Sequence, residues 1–408
     1  MSIFKSAFTV SFFISISRVF GFVRDIFIAN FIGASYLSDV FFAAFRLPNF
    51  FRRVFGEGAL NASFVPIFIE KVANKDQSAK VIFAQNIFSI LFYTLLVFTL
   101  IFQIFMPYLM AVLFPGFKSD PEKFLLLVSF SRITIFYLIF ISLVSLCSSI
   151  LNSLNNFSIP ASSPIILNLT LILSFFTIGK FLPNYAYGLS WGVFVAGVLQ
   201  FIYLMFFTFK RGVALYPRLP KLVIFKDQSI RKFFKKLLPA VIGGNVMQIN
   251  LLIDSVFASL FAGALSYLYY ADRINQLPLA MIGIAIGIAL LPSMSRKIQA
   301  GDVKEAIKLQ NYALEVGLLF VVPASFALIC LAHPIITTLF ERGEFSVDDS
   351  FHVARALQIY AIGLPAYVLV KVMEPGFFAR GNTKTPMKIA LFCLFTNLFF
   401  NTVLTIQE

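Results

Sequence analysis

Apolar residues in this chain neither alternate nor recur singly; they run on until a charge or a loop interrupts them. A run of ~20 predominantly apolar residues is what an α-helix needs to cross the hydrocarbon core of a bilayer. Eleven such helices are expected, over residues 4–32, 38–68, 81–114, 124–151, 160–178, 186–209, 237–261, 266–295, 312–331, 351–378 and 386–406. Several are longer than a bilayer requires, which predicts tilt, kinks or extension beyond it. Pro48 is expected to kink the second. The fold class is therefore all-α and polytopic.

Composition strengthens this reading. Of the 408 residues, 59% are hydrophobic and 13% charged, against roughly 45–50% and about 25% in soluble domains. Mean hydropathy is +0.88. A soluble globule has too little surface to hide so much apolar area. Chemistry has little foothold: Cys147, Cys330 and Cys393 lie far apart in apolar runs, and His333 and His352 lack ligand spacing. The chain is expected not to be an enzyme and to hold no resident cofactor. Lys5 precedes an apolar run, but that run passes through Arg18 into Arg24 and Asp25 without a small-residue cleavage site. The first segment is expected to stay as a helix rather than be removed as a signal peptide.

The formal net charge of +14 resembles a nucleic-acid footprint, but the excess sits in short stretches between apolar runs. No soluble module is long enough to carry it, so no nucleic-acid partner is expected. The distribution follows the positive-inside bias of membrane loops instead. With the N-terminus cytoplasmic, the cytoplasmic loops carry Lys71, Lys75 and Lys80, then Arg296, Lys297, Lys304 and Lys308, then Arg380, Lys384 and Lys388. The longest, 210–236, holds nine basic residues beside one acid, Asp227. Opposite loops show only Lys118, Lys123, Lys180 and Arg342, beside Glu341, Glu344, Asp348 and Asp349.

The 210–236 loop also divides a repeat. Pro66 and Pro292, Pro160 and Pro386, and Leu113 and Leu339 are all 226 residues apart (292 − 66, 386 − 160, 339 − 113). Asp25 and Gly33 pair with Asp254 and Gly263 at slightly larger intervals. The expected organisation is an N-terminal lobe over 1–210, a basic cytoplasmic linker over 211–236 and a C-terminal lobe over 237–408. Paired bundles of this kind are a common architecture for alternating access. In the repeat frame the second lobe lacks a partner for the sixth helix.

Ionisable residues inside spanning helices are costly and mark cavities, pathways or pairs. The first helix carries Arg18, Arg24 and Asp25, with Arg18 and Asp25 on one face; the second carries Asp39, Arg46, Arg52, Arg53 and Glu57. Later helices carry Asp254, Asp272, Arg273, Lys371 and Glu374. Internal salt bridges and snorkelling explain such residues as readily as function does for Arg46, Arg53, Glu57, Lys371 and Glu374. Arg18, Arg24, Arg52 and Arg273 come from the first two helices of each lobe, and a guanidinium offers a fixed fork of donors for phosphate. Such a set favours a multiply anionic substrate such as a diphosphate. A weaker group is Asp254 with Asn397 and Asn401, whose amides share a helix face. Oxygen ligands of this kind suit a monovalent cation, but interhelical amide hydrogen bonds are the simpler account of them.

Four stretches carry a resemblance: SRVFGFVRD (17–25), SDVFFAAFRLPNFFRRVFGEGALNASFVP (38–66), YYADRINQLP (269–278) and PGFFARGNTKTP (375–386). Together they resemble the MurJ/MviN lipid II flippases, of the multidrug/oligosaccharidyl-lipid/polysaccharide exporter superfamily. The resemblance implies two pseudo-symmetric lobes around a central cationic cavity, the second lobe here incomplete. That cavity would take the diphosphate-disaccharide-peptide head of lipid II, whose carrier is undecaprenyl, from the cytoplasmic to the periplasmic leaflet of the bacterial inner membrane. It places substrate-binding roles on Arg18, Arg24, Asp25, Asp39, Arg52 and Arg273, and points to a sodium site at Asp254, Asn397 and Asn401. It also suggests contact with the cell-wall synthesis machinery. Two departures stand out. Gln276 occupies a position where some members have Glu, and the chain has fewer helices than the family's fourteen. Flipping of another polyprenyl-diphosphate oligosaccharide, cation-coupled multidrug export and a non-transporting scaffold role are the other readings.

The loop assignment is open to a direct check. A cysteine placed at Gln228 should remain unmodified when intact cells are labelled from the periplasmic side; efficient labelling there would reverse the orientation.

Overall fold

The computed structural model describes residues 3–54, 60–73, 77–219, 227–243 and 246–406; among these every regular element is helical. In chain order they are α1 (Ile3–Ile32), α2 (Tyr36–Val54), α3 (Leu60–Ala73), α4 (Gln77–Leu113), α5 (Pro121–Thr134), α6 (Tyr137–Ser153), α7 (Ser158–Phe176) and α8 (Tyr185–Lys210). There follow α9 (Gln228–Gly243), α10 (Val246–Ala258), α11 (Ala264–Pro278), α12 (Ala285–Gln299), α13 (Val303–Cys330), α14 (Ala332–Phe340), α15 (Val347–Phe378) and α16 (Lys384–Ile406). Eight helical segments among the described residues are long and apolar enough to cross a membrane. Three of the eleven expected stretches, 4–32, 38–68 and 237–261, are not among these eight, although 4–32 lies in the single helix α1. The 38–68 stretch is divided between α2 and α3, and the 237–261 stretch between α9 and α10. Residues 55–59, with Glu57, and 244–245 lie outside the described residues. Pro48 does not end α2, which continues to Val54.

The 124–151 stretch divides too, at Ile135–Phe136. No Pro or Gly marks the break. Gln103 of α4 donates to the carbonyl of Arg132 at 2.7 Å, occupying an acceptor of the last turn of α5. Thr134 donates to the carbonyl of Ala44 at 3.1 Å. The Gln103 side chain thus takes up a carbonyl that a continuous helix would pair internally, whereas the Ala44 carbonyl belongs to α2 and is the one that Pro48 leaves without an amide donor.

By packing, the chain forms two compact units, Met1–Phe27 with Tyr36–Phe261, and Ile28–Ser35 with Ala262–Glu408. These boundaries differ from the 210 and 237 of the repeat frame, since α9 and α10 pack with the first unit. The expected linker is helical from Gln228: Ile230, Phe233 and Leu237 turn inward, while Arg231, Lys232, Lys235 and Lys236 are exposed. Lys232 reaches Glu70 of α3 at 3.1 Å.

Helix α6 is the core of the first unit; Tyr137 to Leu151 is buried almost throughout. Its Ser142, Ser145, Cys147 and Ser149 are small, so α3, α4 and α8 can approach closely. Ser145, Ser148 and Ser149 return their hydroxyl protons to carbonyls four residues back, at 2.9, 2.7 and 2.9 Å, so these polar side chains cost little in an apolar setting.

In the second unit, α15 is central, packed by α11, α12, α13 and α14. Ser346 caps its start reciprocally with Asp349. A π-helical stretch, Leu279–Ile284, joins α11 to α12. Helix starts recur at the repeat interval: α4 and α13, α5 and α15, and α7 and α16 each begin 226 residues apart (303 − 77, 347 − 121, 384 − 158). The α16 helix exposes Phe392, Phe395, Phe399 and Phe400, as a lipid-facing helix does.

The segment Ile28–Ser35 is held in this unit by backbone interlocking. The amide of Glu344 donates to the carbonyl of Asn30 at 3.0 Å, and the Tyr270 hydroxyl to the carbonyl of Gly33 at 3.4 Å. Gly33 and Gly343 both have positive φ, +71° and +60°, and a Cβ on Gly343 would lie 2.1 Å from the carbonyl oxygen of Asn30. Gly343→Ala should therefore lower thermal stability in detergent, by at least the roughly 1–2 kcal/mol of a left-handed residue with a Cβ. An unchanged melting temperature would show that this contact is not formed in the membrane-extracted protein.

Candidate functional site

The first unit buries a charge of each sign on adjacent residues of α1. Arg24 is 6% exposed and Asp25 fully buried. The guanidinium donates from Nε and Nη2 to a single carboxylate oxygen of Asp25, at 3.0 and 2.6 Å. From Nη1 it donates to the amide oxygen of Asn168 on α7, at 3.0 Å. That amide then donates its own proton to the carbonyl of Ser17, at 3.0 Å. Ser17 and Arg24 are seven residues apart and share a face of α1, so one asparagine clips both the helix backbone and the guanidinium. The donors of Arg24 are thereby aimed before any ligand arrives. Arg18, one helical turn and a half earlier, is exposed.

On α2, Asp39 is fully buried and accepts from Lys123 of α5 at 3.3 Å. The same ammonium lies 4.1 Å over the Phe117 ring, an arrangement that compensates a desolvated cation. Lys123 is thus not a loop cation as its sequence position suggests. Arg52 donates to Asn49, three residues back, at 2.8 Å. Arg46 donates to the carbonyl of Leu251 on α10 at 2.8 Å, and Arg53 to Gln248 at 3.4 Å. The buried phenol of Tyr137 stands within electrostatic reach of both Arg52 and Arg24, so these two arginines share a neighbourhood. Tyr137 also donates to Gln200 at 3.2 Å, and Gln200 to the carbonyl of Ser163 at 2.9 Å. Asp254 of α10 accepts from Asn250 at 3.5 Å.

In the second unit Arg273 donates to the Tyr269 hydroxyl at 2.9 Å, with its guanidinium 4.9 Å from that ring's centre. Gln276 donates to the Asp272 carboxylate. An amide at 276 thus suits an aspartate one turn earlier, where a glutamate would repel it. Lys371 and Glu374 form an internal pair at 3.0 Å. Asn401 donates to Asn397 within α16. Among the described residues, no group of three or more His, Cys, Asp or Glu is arranged to hold a metal ion.

A buried arginine with preset donors thus sits in an all-helical polytopic chain. The model of the lipid II flippase MurJ family matches residues 28–407. The chain belongs to the MurJ family. A relative from Rickettsia prowazekii, a probable lipid II flippase MurJ, is 41% identical over 406 residues, covering 99% of this chain and 78% of that protein. A solved structure of the lipid II flippase MurJ in an inward closed conformation aligns with a TM-score of 0.83 at 29% identity, covering 97% of this chain and 80% of that one. A multidrug resistance MATE transporter in an inward-facing conformation aligns with a TM-score of 0.74 at 13% identity, covering 93% and 84%. That last likeness is one of fold alone. The chain is therefore a bacterial multi-pass membrane protein of a transporter family.

For this MurJ-family chain, sequence reasoning singled out the arginines and aspartates but not the groups that hold them. Asn168, Lys123, Asn49 and Tyr269 went unremarked as partners. Asn168 had a signal: it is a lone amide in the apolar run IILNLTLIL, and such residues are seldom there without a partner. Asn168→Leu should remove an acceptor from a buried guanidinium and lower thermal stability by about 1–3 kcal/mol. Asn168→Asp, which keeps the acceptor, should lose less. Equal stability of the leucine variant and the parent would show that the Arg24–Asn168 bond is not formed.

Proposed function

We propose that this chain flips lipid II, carrying its diphosphate-saccharide-peptide head from the cytoplasmic to the periplasmic leaflet of the bacterial inner membrane by alternating access. Membership of the MurJ family supports the substrate, and the loop asymmetry of Lys and Arg supports a cytoplasmic N-terminus. The observation that carries the chemistry is Arg24, a guanidinium buried on a spanning helix with its donors fixed by Asp25 and Asn168. A diphosphate presents pairs of anionic oxygens, which match the fork that Arg24 now turns toward a carboxylate. Arg52 and Arg273 are the further guanidiniums proposed to bind the diphosphate during the cycle, and Asp25 and Asp39 the groups that hold cations in its absence. Arg18, exposed on the same helix, is proposed as an early contact.

The MATE-like fold is shared with drug exporters, but export of cations gains nothing from fixed arginines. A cationic drug would be repelled by the same groups that attract a diphosphate.

In a reconstituted lipid II translocation assay, Arg24→Ala, Arg52→Ala and Arg273→Ala should each abolish flipping at normal protein levels. Each lost charge-assisted contact costs about 1.5–3 kcal/mol, roughly ten- to hundred-fold in affinity. Arg→Lys should recover part of the activity, because the ammonium keeps the charge and loses the fork. Full activity of all three alanine variants would remove the basis for an anionic lipid substrate.

A further inference from the structure

The first unit contains an apolar groove distant in sequence from the charged residues above. Its volume is about 450 Å³, and it is lined by Phe201, Ile202, Met205, Phe206 and Phe209 of α8 on one side and by 214–216 on the other. The second wall is an extended segment that folds back along the end of α8. Its backbone is tied to α4: Gln85 accepts from the Tyr216 amide at 3.1 Å and donates to the Tyr216 carbonyl, and Ser89 accepts from the Arg218 amide at 3.2 Å. Val213 is buried behind this wall, and Leu215 is nearly so while still lining the groove. Gln85 and Ser89 are themselves buried, within a spanning helix. The groove is therefore a built feature at the end of a membrane-crossing helix, with its polar backbone satisfied on the inner side and its apolar side chains facing out.

The charges around it are placed with equal specificity. Lys210 lies 4.4 Å over the ring of Phe206, and Arg218 lies 4.4 Å over the ring of Tyr216. Each wall thus carries a cation on the face of a ring that lines the groove. Lys210, Arg211 and Arg218 are all exposed. The lined length of α8, from Phe201 to Phe209, spans about 12 Å at 1.5 Å per residue, which suits the first part of an acyl chain. An apolar slot with a ring-supported cation on each wall is complementary to a molecule with an apolar tail and an anionic head.

We propose that this groove is a binding site for an anionic glycerophospholipid, one acyl chain lying along α8 and the headgroup drawn by the Lys210 and Arg218 charges on its walls. The site is independent of the flipped substrate, since it shares no residue with the arginine set. A juxtamembrane basic residue draws an anionic headgroup by roughly five-fold in affinity, so two of them multiply to at most about 25-fold, a preference over zwitterionic lipid on the order of tenfold or more. The apolar slot makes that preference specific to a position rather than a general enrichment at the surface.

Lipid-dependent fluorescence quenching tests this. Trp191 is the single tryptophan, so a W191F/Y216W variant reports only from the groove. In vesicles mixing brominated phosphatidylglycerol or brominated phosphatidylcholine with unbrominated lipid, the indole at 216 should select the anionic lipid on the order of tenfold. Adding K210Q and R218Q, both at exposed positions, should bring that preference close to one. Adding A214F, which fills the groove and keeps every charge, should also abolish it. No preference in the W191F/Y216W protein would overturn the proposal. A preference unchanged by A214F would overturn it too, by showing surface charge acting alone.

Discussion

An ionised group or a bare peptide at membrane depth must find its partner inside the protein, because the lipid offers none. The charged residues of this chain are arranged by that constraint. Arg24 faces Asp25 and Asn168, Lys123 faces Asp39 across a Phe117 ring, and Arg273 leans on Tyr269. Two kinds of partner recur: a carboxylate that neutralises, and an amide or aromatic group that orients without adding charge. Asn168 does more than accept, since its second hydrogen bond runs to the backbone of the helix that carries Arg24. The guanidinium is thus referenced to α1 and α7 together.

The same constraint governs the uncharged polar residues. Ser145, Ser148 and Ser149 close their hydroxyls onto their own helix, leaving α6 smooth enough to sit at the centre of the first unit. Gln85 and Gln103 do the opposite and reach away from α4. The first satisfies an extended segment that has no helical bonds of its own, and the second takes a carbonyl at the break between α5 and α6. Long polar side chains on one spanning helix therefore permit non-helical backbone in its neighbours.

This explains what was legible in the sequence. Run length locates most helices, and the 226-residue interval between prolines reappears in the starts of α4 and α13, α5 and α15, and α7 and α16. Arginines and aspartates stand out because they are improbable at depth. The break at Ile135–Phe136 was not legible, since its cause is a glutamine on another helix rather than a local Pro or Gly. Asp39 with Lys123 was hidden for a related reason: a lysine near a helix start resembles a loop cation until folding brings a carboxylate beside it. Pro48 stays inside α2, and the Ala44 carbonyl four residues before it accepts from Thr134 instead, which is how a neighbour makes a proline within a membrane helix tolerable. The split of 237–261 into α9 and α10 did leave a mark, since it falls at Gly243-Gly244-Asn245, a breaker sequence that run length alone passes over.

The proposed transport depends on how firmly Arg24 is held. A guanidinium with no partner in the empty state would be prohibitively costly to bury, and one fully engaged by two carboxylates would not release to a substrate. Here one half of the fork meets a carboxylate and the other a neutral amide. An incoming diphosphate competes with Asp25 for the charged contact, while Asn168 can keep the side chain aligned. The exchange replaces one anion by another, so the cation is never left uncompensated at depth. A lysine at 24 would keep the charge balance but would not hold a fixed direction toward either partner, because an ammonium has no planar fork to align. Geometry, more than charge, is therefore what the position asks of its residue.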